Sequence, residues 1–431
     1  MNVAVVGTGY VGLVSGSCLA ELGHQVTCVD VDVEKIAGLN NGVIPIYEPG
    51  LEELVKRNVG YGRLRFTTSY QEAIPDAEVV SIAVGTPSAE DGTADMKYVK
   101  AAAEEIGKNL SDYTVIATKS TVPVGTAEMI TEIVKANTDC EFDVVSNPET
   151  LREGHAVYDF LHPSRVIIGS SSPRATDFMV HLFAYLDCPK VVTDPRSAEL
   201  TKYAANAFLA TKISFINEIA HLCEEVGASV EDVAKGIGLD PRIGKDFLHA
   251  GLGWGGSCFP KDVLALSTLA ASLDYPLPIV NAAIKTNVHT RERVVSRLEK
   301  ALGSCAGKKI AVLGLAFKDN TDDTRESAAV AIIRELHNRG AEVRAYDPIA
   351  NVTSEHVGFD LEHSADPYSA AEGAEAVVIA TEWDEFRNLD LQRLKKAMSG
   401  DILFDGRNLL SQEEAERSGF RYFRVGRKSK M

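Results

Sequence analysis

The chain opens on an apolar run without alternation, Asn2-Val3-Ala4-Val5-Val6, the pattern of a strand buried on both faces of a parallel sheet. The turn Gly7-Thr8-Gly9-Tyr10-Val11-Gly12 follows, then an apolar helix through Leu22 and a second apolar strand from Gln25 to Val29, closed by Asp30. Further strand-like runs fall at residues 77–84, 113–118, 142–146 and 165–169, with helix-like segments between them. This alternation predicts a doubly wound sheet over residues 1–196. Over residues 197–302 the pattern turns helical. Residues 198–226 hold almost no Gly or Pro and carry apolar residues at helical spacing, and 279–302 resembles them. Strand–helix alternation returns from Lys308, with strands at 309–313, 342–346, 376–380 and 402–404 and a helix at 327–339. This third segment, 303–431, lacks the glycine pattern after its first strand. Gly314-Leu315-Ala316-Phe317 suits a nucleotide other than a dinucleotide, or none. The predicted fold is α/β: two Rossmann-like doubly wound parallel-sheet domains joined by a helical central domain with a long connecting helix. The short basic tail 426–431 is expected to be disordered.

Composition narrows the partners. A chain of 431 residues is too long for one core. Its 45% hydrophobic and 24% charged residues are ordinary for a globular protein. A net charge of −17 argues against nucleic acid and anionic membranes, and means that an anionic ligand must be held by locally placed cations. Seven scattered cysteines form no CxxC pair, and the ten histidines show no metal-ligand spacing, so no metal is expected. Reduced thiols fit a cytoplasmic protein. The chain begins directly on a strand, and no apolar run reaches transmembrane length, so neither a signal peptide nor a membrane span is expected.

Two motifs carry chemistry. The first is the strand–turn–helix–strand–acid unit at the start of the chain, which has the spacing of a dinucleotide site. Gly7 permits the tight turn, Gly9 lets a pyrophosphate approach the helix N-terminus, and Gly12 allows close helix–strand packing. Asp30 would accept hydrogen bonds from a ribose diol and repel a 2′-phosphate, favouring NAD over NADP, a preference that Lys35 would blunt. The second motif is Gly253-Trp254-Gly255-Gly256-Ser257-Cys258-Phe259-Pro260-Lys261-Asp262, just ahead of a helix. Its glycines would let a ligand come close to the backbone, and Pro260 suits a helix start. The Cys258 thiol would lie beside the helix N-terminus, with the Lys261 charge in the first turn, a setting that stabilises a thiolate. An isolated cysteine is more often a small buried hydrophobe. The glycines, the helix start and the Lys-Asp pair favour a nucleophile here.

Other candidates admit two readings each. Lys202 and Asn206, at i, i+4, share one helix face, which is either solvated or aimed at a developing oxyanion. Asp262 is a base or a first-turn acid. Glu149 and Glu153 are i, i+4 if their segment is helical, and otherwise a loop acid and a helix acid. Thr121 orders a water or caps a turn. The strand-end loops Gly85-Thr86-Pro87, Lys119-Ser120-Thr121-Val122-Pro123 and Asn147-Pro148-Glu149 are expected to ring one crevice.

With these motifs placed, the chain resembles the nucleotide-sugar 6-dehydrogenases of the UDP-glucose/GDP-mannose dehydrogenase family over nearly its whole length. The likeness runs through Gly7–Gly12, Tyr47-Glu48-Pro49-Gly50-Leu51, Gly85-Thr86-Pro87, Ser120-Thr121-Val122, Ser146-Asn147-Pro148-Glu149 and Leu151-Arg152-Glu153-Gly154. It continues in Lys202-Tyr203-Ala204-Ala205-Asn206, Gly255–Asp262, Leu315-Ala316-Phe317-Lys318, Asp323-Thr324-Arg325-Glu326-Ser327, Thr381-Glu382-Trp383 and Phe404-Asp405-Gly406-Arg407. The resemblance implies an NAD domain, a helical dimerisation domain and a C-terminal UDP-binding domain. It implies NAD-dependent oxidation of the C6 alcohol of UDP-glucose to the carboxylate through a Cys258 thiohemiacetal and thioester. GDP-mannose and UDP-N-acetylhexosamines are the alternative substrates, the acetamido-sugar members often carrying His where Ser257 stands. It assigns catalysis to Cys258, Lys202, Asn206, Asp262, Thr121 and Glu149. Cofactor contacts fall to Gly7, Gly9, Tyr10, Val11, Gly12, Asp30, Lys35, Thr86, Thr121, Glu153 and Arg325. Substrate contacts fall to Glu149, Leu151, Arg152, Glu153, Lys202, Asn206, Gly255, Lys318 and Arg407, with Arg242 reaching the site of a neighbouring subunit in a homodimer or higher homo-oligomer. One departure is Thr150, where the family usually has Phe.

Overall fold

The computed structural model describes residues 1–89 and 91–428. The chain forms two compact units. The first is Met1–Ala205 with Leu264–Leu269; the second is Asn206–Val263 with the chain from Ala270 onward.

The first unit is built on eight strands: β1 (Asn2–Val6), β2 (Gln25–Val29), β3 (Leu64–Thr67), β4 (Val79–Ile82), β5 (Thr114–Thr118), β6 (Phe142–Ser146), β7 (Val166–Gly169) and β8 (Lys190–Thr193). Their order is β3-β2-β1-β4-β5-β6-β7-β8. The pairs are parallel except β6 with β7, which meet antiparallel at Ser146 and Gly169. The reason β1 reads as apolar throughout is visible in its packing. Val3 and Val5 join Leu13 and Val14 on one face, while Ala4 and Val6 join Val99 and Ile106 on the other. With β2 on one side of β1 and β4 on the other, the chain reverses direction across the sheet at β1, the place where ligands gather in such folds.

The second unit has six strands, all parallel: β9 (Lys309–Leu313), β10 (Glu342–Tyr346), β11 (Glu362–His363), β12 (Ala376–Ile379), β13 (Ile402–Asp405) and β14 (Arg421–Arg424), in the order β11-β10-β9-β12-β13-β14. A 32-residue helix, Pro195–Val226, contains the boundary between the units, and a 25-residue helix, Pro278–Leu302, follows. Ile216, Ala220 and Cys223 of the first helix and Val294 and Leu298 of the second share one core with the six-stranded sheet. Among the described residues no helix is long and apolar enough to cross a membrane.

The start of the tail departs from expectation. Gly426 N–H donates to Glu224 Oε1 at 3.0 Å, and its carbonyl accepts from Val230 N–H at 3.0 Å. Glu224, buried in the long helix, also accepts from Arg293 at 2.9 Å and from Arg297. An acid in the middle of the chain thus fastens the segment that leaves β14. Residues 429–431 lie outside the described residues.

Candidate active site

The first unit contains a cradle shaped for a dinucleotide. Gly7 has φ +99°, and a Cβ there would lie 2.8 Å from Ala83 O. At Gly12 a Cβ would lie 1.9 Å from Gly7 O, so only glycine lets the helix Tyr10–Glu21 start this close to the strand turn. Over Gly9 nothing lies within 4 Å, and the helix N-terminus has no side-chain cap, leaving N–H groups for an anion. Asp30 Oδ2 accepts from Thr8 N–H and Thr8 Oγ1, both at 2.7 Å, and from Lys35 Nζ at 3.3 Å. Burial alone would raise the Asp30 carboxyl. The Thr8 N–H and hydroxyl, the Asp32 N–H and the Lys35 charge outweigh it and hold the group below its ordinary value. Open space over Gly9 and an ionised acid at the end of β2 fit the pyrophosphate and ribose of NAD.

Three buried carboxylates organise the loops that follow β1, β5 and β6. Glu149 Oε1 accepts from Lys202 Nζ at 2.5 Å, and its Oε2 from Leu151 N–H at 2.6 Å. Residues 147–152 are irregular, so Glu149 and Glu153 do not share a helix face. Glu48 accepts from Gly154 N–H and Ala156 N–H, both at 2.7 Å, and from the Tyr10 hydroxyl, linking the nucleotide turn to the loop after β6. Glu199 accepts from Gly125 N–H at 2.7 Å, Ala127 N–H at 2.9 Å and Ser146 Oγ at 3.1 Å. It caps the helix Thr126–Lys135 from a distant element and pins the loop carrying Thr121. Thr86 Oγ1 donates to Thr121 O at 2.8 Å, so two of the three strand-end loops meet through a hydrogen bond. Arg152 pairs with Asp159 at 2.7 Å.

The second unit holds the thiol. Cys258 is the N-cap of the helix Phe259–Ser272, with Pro in its first turn. The Ser257 Oγ lies 3.5 Å from its Sγ. One turn on, Asp262 is buried and has two side-chain partners: Asn206 Nδ2 donates to Oδ2 at 2.6 Å, and Lys261 Nζ to Oδ1 at 2.7 Å. Lys261 therefore spends its charge on Asp262, whereas the sequence suggested that it serves the thiol. Packing alone also demands these glycines, because the chain itself occupies their Cβ side. A Cβ on Gly255 would lie 2.2 Å from Glu326 O, on Gly256 2.8 Å from the Phe317 ring, and on Gly253 2.4 Å from Asn287 Oδ1. Asn287 and Arg291 complete the clamp. Asn287 Oδ1 accepts from Trp254 N–H at 2.7 Å, and Arg291 donates to Trp254 O at 2.7 Å.

The candidate cations of this unit are placed unequally. Arg242 is held by Asp240, with Nη2 to Oδ2 at 2.6 Å, and its side chain is 87% exposed. Arg325 makes a like pair with Asp323 at 2.6 Å and is mostly exposed. The cap of the helix after it is Ser327. Arg407 donates to Ala380 O at 2.8 Å and Phe317 O at 3.0 Å and lies 3.1 Å from Glu382, so its guanidinium braces strand ends. Lys318 Nζ lies 5.5 Å from the centre of the Phe317 ring.

Glu48, Glu199, Asn287 and Arg291 escaped the sequence reading. Glu48 stands in Tyr47-Glu48-Pro49-Gly50-Leu51 and Glu199 lies one turn before Lys202, which are the signals that point to them.

The chain's likeness to known proteins agrees with this geometry. Residues 1–187 match the NAD binding domain of the UDP-glucose/GDP-mannose dehydrogenase family, 196–289 its central domain and 311–412 its UDP binding domain. UDP-glucose 6-dehydrogenase TuaD of Bacillus subtilis (strain 168) is 50% identical over 99% of this chain and 93% of its own length. UDP-glucose 6-dehydrogenase of Rhizobium meliloti (strain 1021) is 51% identical over 99% of this chain and 100% of its own. A UDP-glucose dehydrogenase structure from Pyrobaculum islandicum superposes with a TM-score of 0.92 at 40% identity, covering 98% of this chain and 97% of that one. The chain belongs to the UDP-glucose/GDP-mannose dehydrogenase family.

Proposed function

We propose that this enzyme is an NAD-dependent UDP-glucose 6-dehydrogenase that oxidises the sugar's C6 alcohol to the carboxylate of UDP-glucuronate. The observation that carries the reading is the thiol at a helix N-terminus, one turn before a buried carboxylate shared by Asn206 and Lys261. Pure nucleotide binding needs no such group. In this reading residues 1–196 bind NAD, 197–302 form the helical central domain and 303–431 bind the UDP-sugar.

Gly7, Gly9, Tyr10, Val11, Gly12, Asp30, Lys35, Thr86, Thr121, Glu153 and Arg325 would hold NAD, which would supply the hydride acceptor for both oxidations. Asp262 takes the C6 hydroxyl proton as the alcohol becomes an aldehyde. The Cys258 thiolate then adds to the aldehyde carbon, forming a C–S bond and an alkoxide that Lys202 and Asn206 stabilise. Loss of hydride from that carbon leaves a thioester. A water oriented by Thr121 gives a proton to Glu149 and attacks the carbonyl; the C–S bond breaks, and thiolate and uronate result. Covalent capture keeps the aldehyde from escaping between the two oxidations. Leu151, Arg152, Gly255, Lys318 and Arg407 hold the nucleotide sugar.

An exposed apolar stripe supports a homodimer or higher homo-oligomer. Phe208, Phe215 and Leu222, seven residues apart on the long helix, are 66%, 47% and 56% exposed. Arg242, salient at the surface, would then reach a neighbouring subunit's site. The seven cysteines stand as thiols, the state that a cytoplasmic placement keeps.

The test follows NADH absorbance with NAD and UDP-glucose, GDP-mannose or UDP-N-acetylmannosamine. Two NADH per UDP-glucose and little with the others are expected; activity on another sugar alone overturns the substrate. Cys258→Ser is expected to lower net turnover by about a thousandfold or more while NAD still binds. Full activity in that variant removes the thiol from the chemistry.

A further inference from the structure

The mechanism above leaves one buried cation unused. Lys119 follows β5, whose five residues are all buried, and is itself only 7% exposed. Its ammonium donates to Asn147 Oδ1 over a long 3.3 Å and lies 5.6 and 5.8 Å from the ring centres of Phe160 and Phe183. Asn147 in turn donates to Ile167 O at 2.7 Å, and it stands two residues before Glu149. One long hydrogen bond and two ring faces are poor compensation for taking an ammonium out of water. A hydrocarbon of the same length would fill the position without that cost. Burial pushes the Lys119 ammonium down to about 8, with Glu149 opposing the shift and Lys202 adding to it. The groups that face it are Glu149 from the loop after β6, Lys202 from the long helix and Cys18 from the helix Tyr10–Glu21. Asp159 and Arg165 line the same small cavity. A charge kept at such expense, within the field of Glu149, calls for a role that only a charge fills.

We propose that Lys119 is a positioning residue for thioester hydrolysis: its buried charge, anchored through Asn147, fixes where the Asn147-Pro148-Glu149 turn sets the Glu149 carboxylate against Lys202. The inference rests on reading Glu149 as the base of the hydrolytic step. Lys119 touches neither the reacting atoms nor the cofactor in this account; it acts through Glu149. The long helix brings Lys202 to the front of that carboxylate, and Lys119 supplies the second positive charge from the sheet side. Because the field depends on the proton, the contribution ends where the ammonium titrates.

The test uses the full-length enzyme with Lys119→Met and Lys119→Gln. For Lys119→Met, the melting temperature is expected to be unchanged or higher, KM for NAD to stay within about twofold, and kcat to fall about tenfold. In rapid-mixing experiments the first burst of NADH is expected to survive while the steady rate drops, because the oxidations precede hydrolysis. The wild-type to Lys119→Met ratio of kcat is expected to be flat at neutral pH and to fall toward one as pH rises through about 8, where the ammonium loses its proton. Lys119→Gln, which keeps a donor for Asn147 without the charge, is expected to be slow as well. A Met variant with wild-type kcat and pH profile, a Gln variant with wild-type rate, or a Met variant losing burst and melting temperature together would overturn the proposal. A wild-type enzyme that makes no NADH from UDP-glucose would overturn both this proposal and the functional reading beneath it. An active wild type with an indifferent Met variant would overturn this proposal alone.

Discussion

The two sheets begin with the same local device and use it differently. Gly7 after β1 and Gly314 after β9 both sit at φ +99°. Each N–H donates to the carbonyl at the end of the neighbouring strand, Gly7 to Val29 at 2.8 Å and Gly314 to Tyr346 at 2.7 Å. Each of those strands is followed by an aspartate, Asp30 and Asp347. The likeness stops there. After Gly7 a helix starts at Tyr10, whereas after Gly314 the next begins only at Ala328. A Cβ at Gly314 would strike Thr381 at 2.4 Å, while nothing lies within 4 Å over Gly9. Asp347 is saturated by five protein donors: Leu315 N–H, Ala316 N–H and Trp383 Nε1 on Oδ2, and Ile349 N–H and Ala350 N–H on Oδ1. Among the described residues Asp30 Oδ1 takes only Asp32 N–H, at 3.1 Å. A ribose diol has an acceptor to meet at the end of β2 and none to spare at the end of β10. Shared topology does not make a dinucleotide site; turn length and spare acceptor capacity do.

This contrast is breakable, most severely at Gly12. Gly12→Val drives a side chain into Gly7 O, and NAD affinity measured by calorimetry is expected to fall by at least about a hundredfold while UDP still binds. Retained NAD binding would mean that the cradle is not used. The paired acids give the sharper test. Asp30→Asn is expected to raise KM for NAD about tenfold, whereas Asp347→Asn is expected to leave KM alone and cost about 2 kcal/mol of stability in denaturant unfolding, since its donors lose a charged acceptor. Equal effects of the two on KM would erase the distinction. The smallest effect is acid sensitivity in the second unit. Burial, aided by Arg293, pushes His221 down to about 4, so the unfolded chain binds the proton first. Stability from this group is full above about 6.5, the ordinary histidine value, and is lost as pH falls through about 4. His221→Gln is expected to flatten that part of the melting-temperature profile.

Much of this was legible in the chain. The apolar runs of β1, β2, β9 and β10, the glycine turn and the cysteine before a helix are local patterns, and local patterns survive in sequence. All four edge strands, β3, β8, β11 and β14, were missed: Leu64–Thr67 alternates buried and exposed, Lys190–Thr193 is half exposed, Glu362–His363 is short and exposed, and Arg421–Arg424 begins and ends in arginine, so none carries an apolar run. The braces of the site were missed for another reason. Glu199 serves N–H groups 72 and 74 residues away, and Glu48 serves two at 106 and 108. No periodicity encodes such a partnership. Lys261 looked like a helper of the thiol because it is near in sequence, but a buried carboxylate next to it had the stronger claim.

The bond between Gly426 and Glu224 has a practical side. Glu224 gathers two arginines of another helix and the exit of β14 at one carboxylate, so the segment after the last strand is stitched to the middle of the chain. Replacing Glu224 would therefore unsettle three elements at once: the long helix, the helix that carries the two arginines and the segment leaving β14.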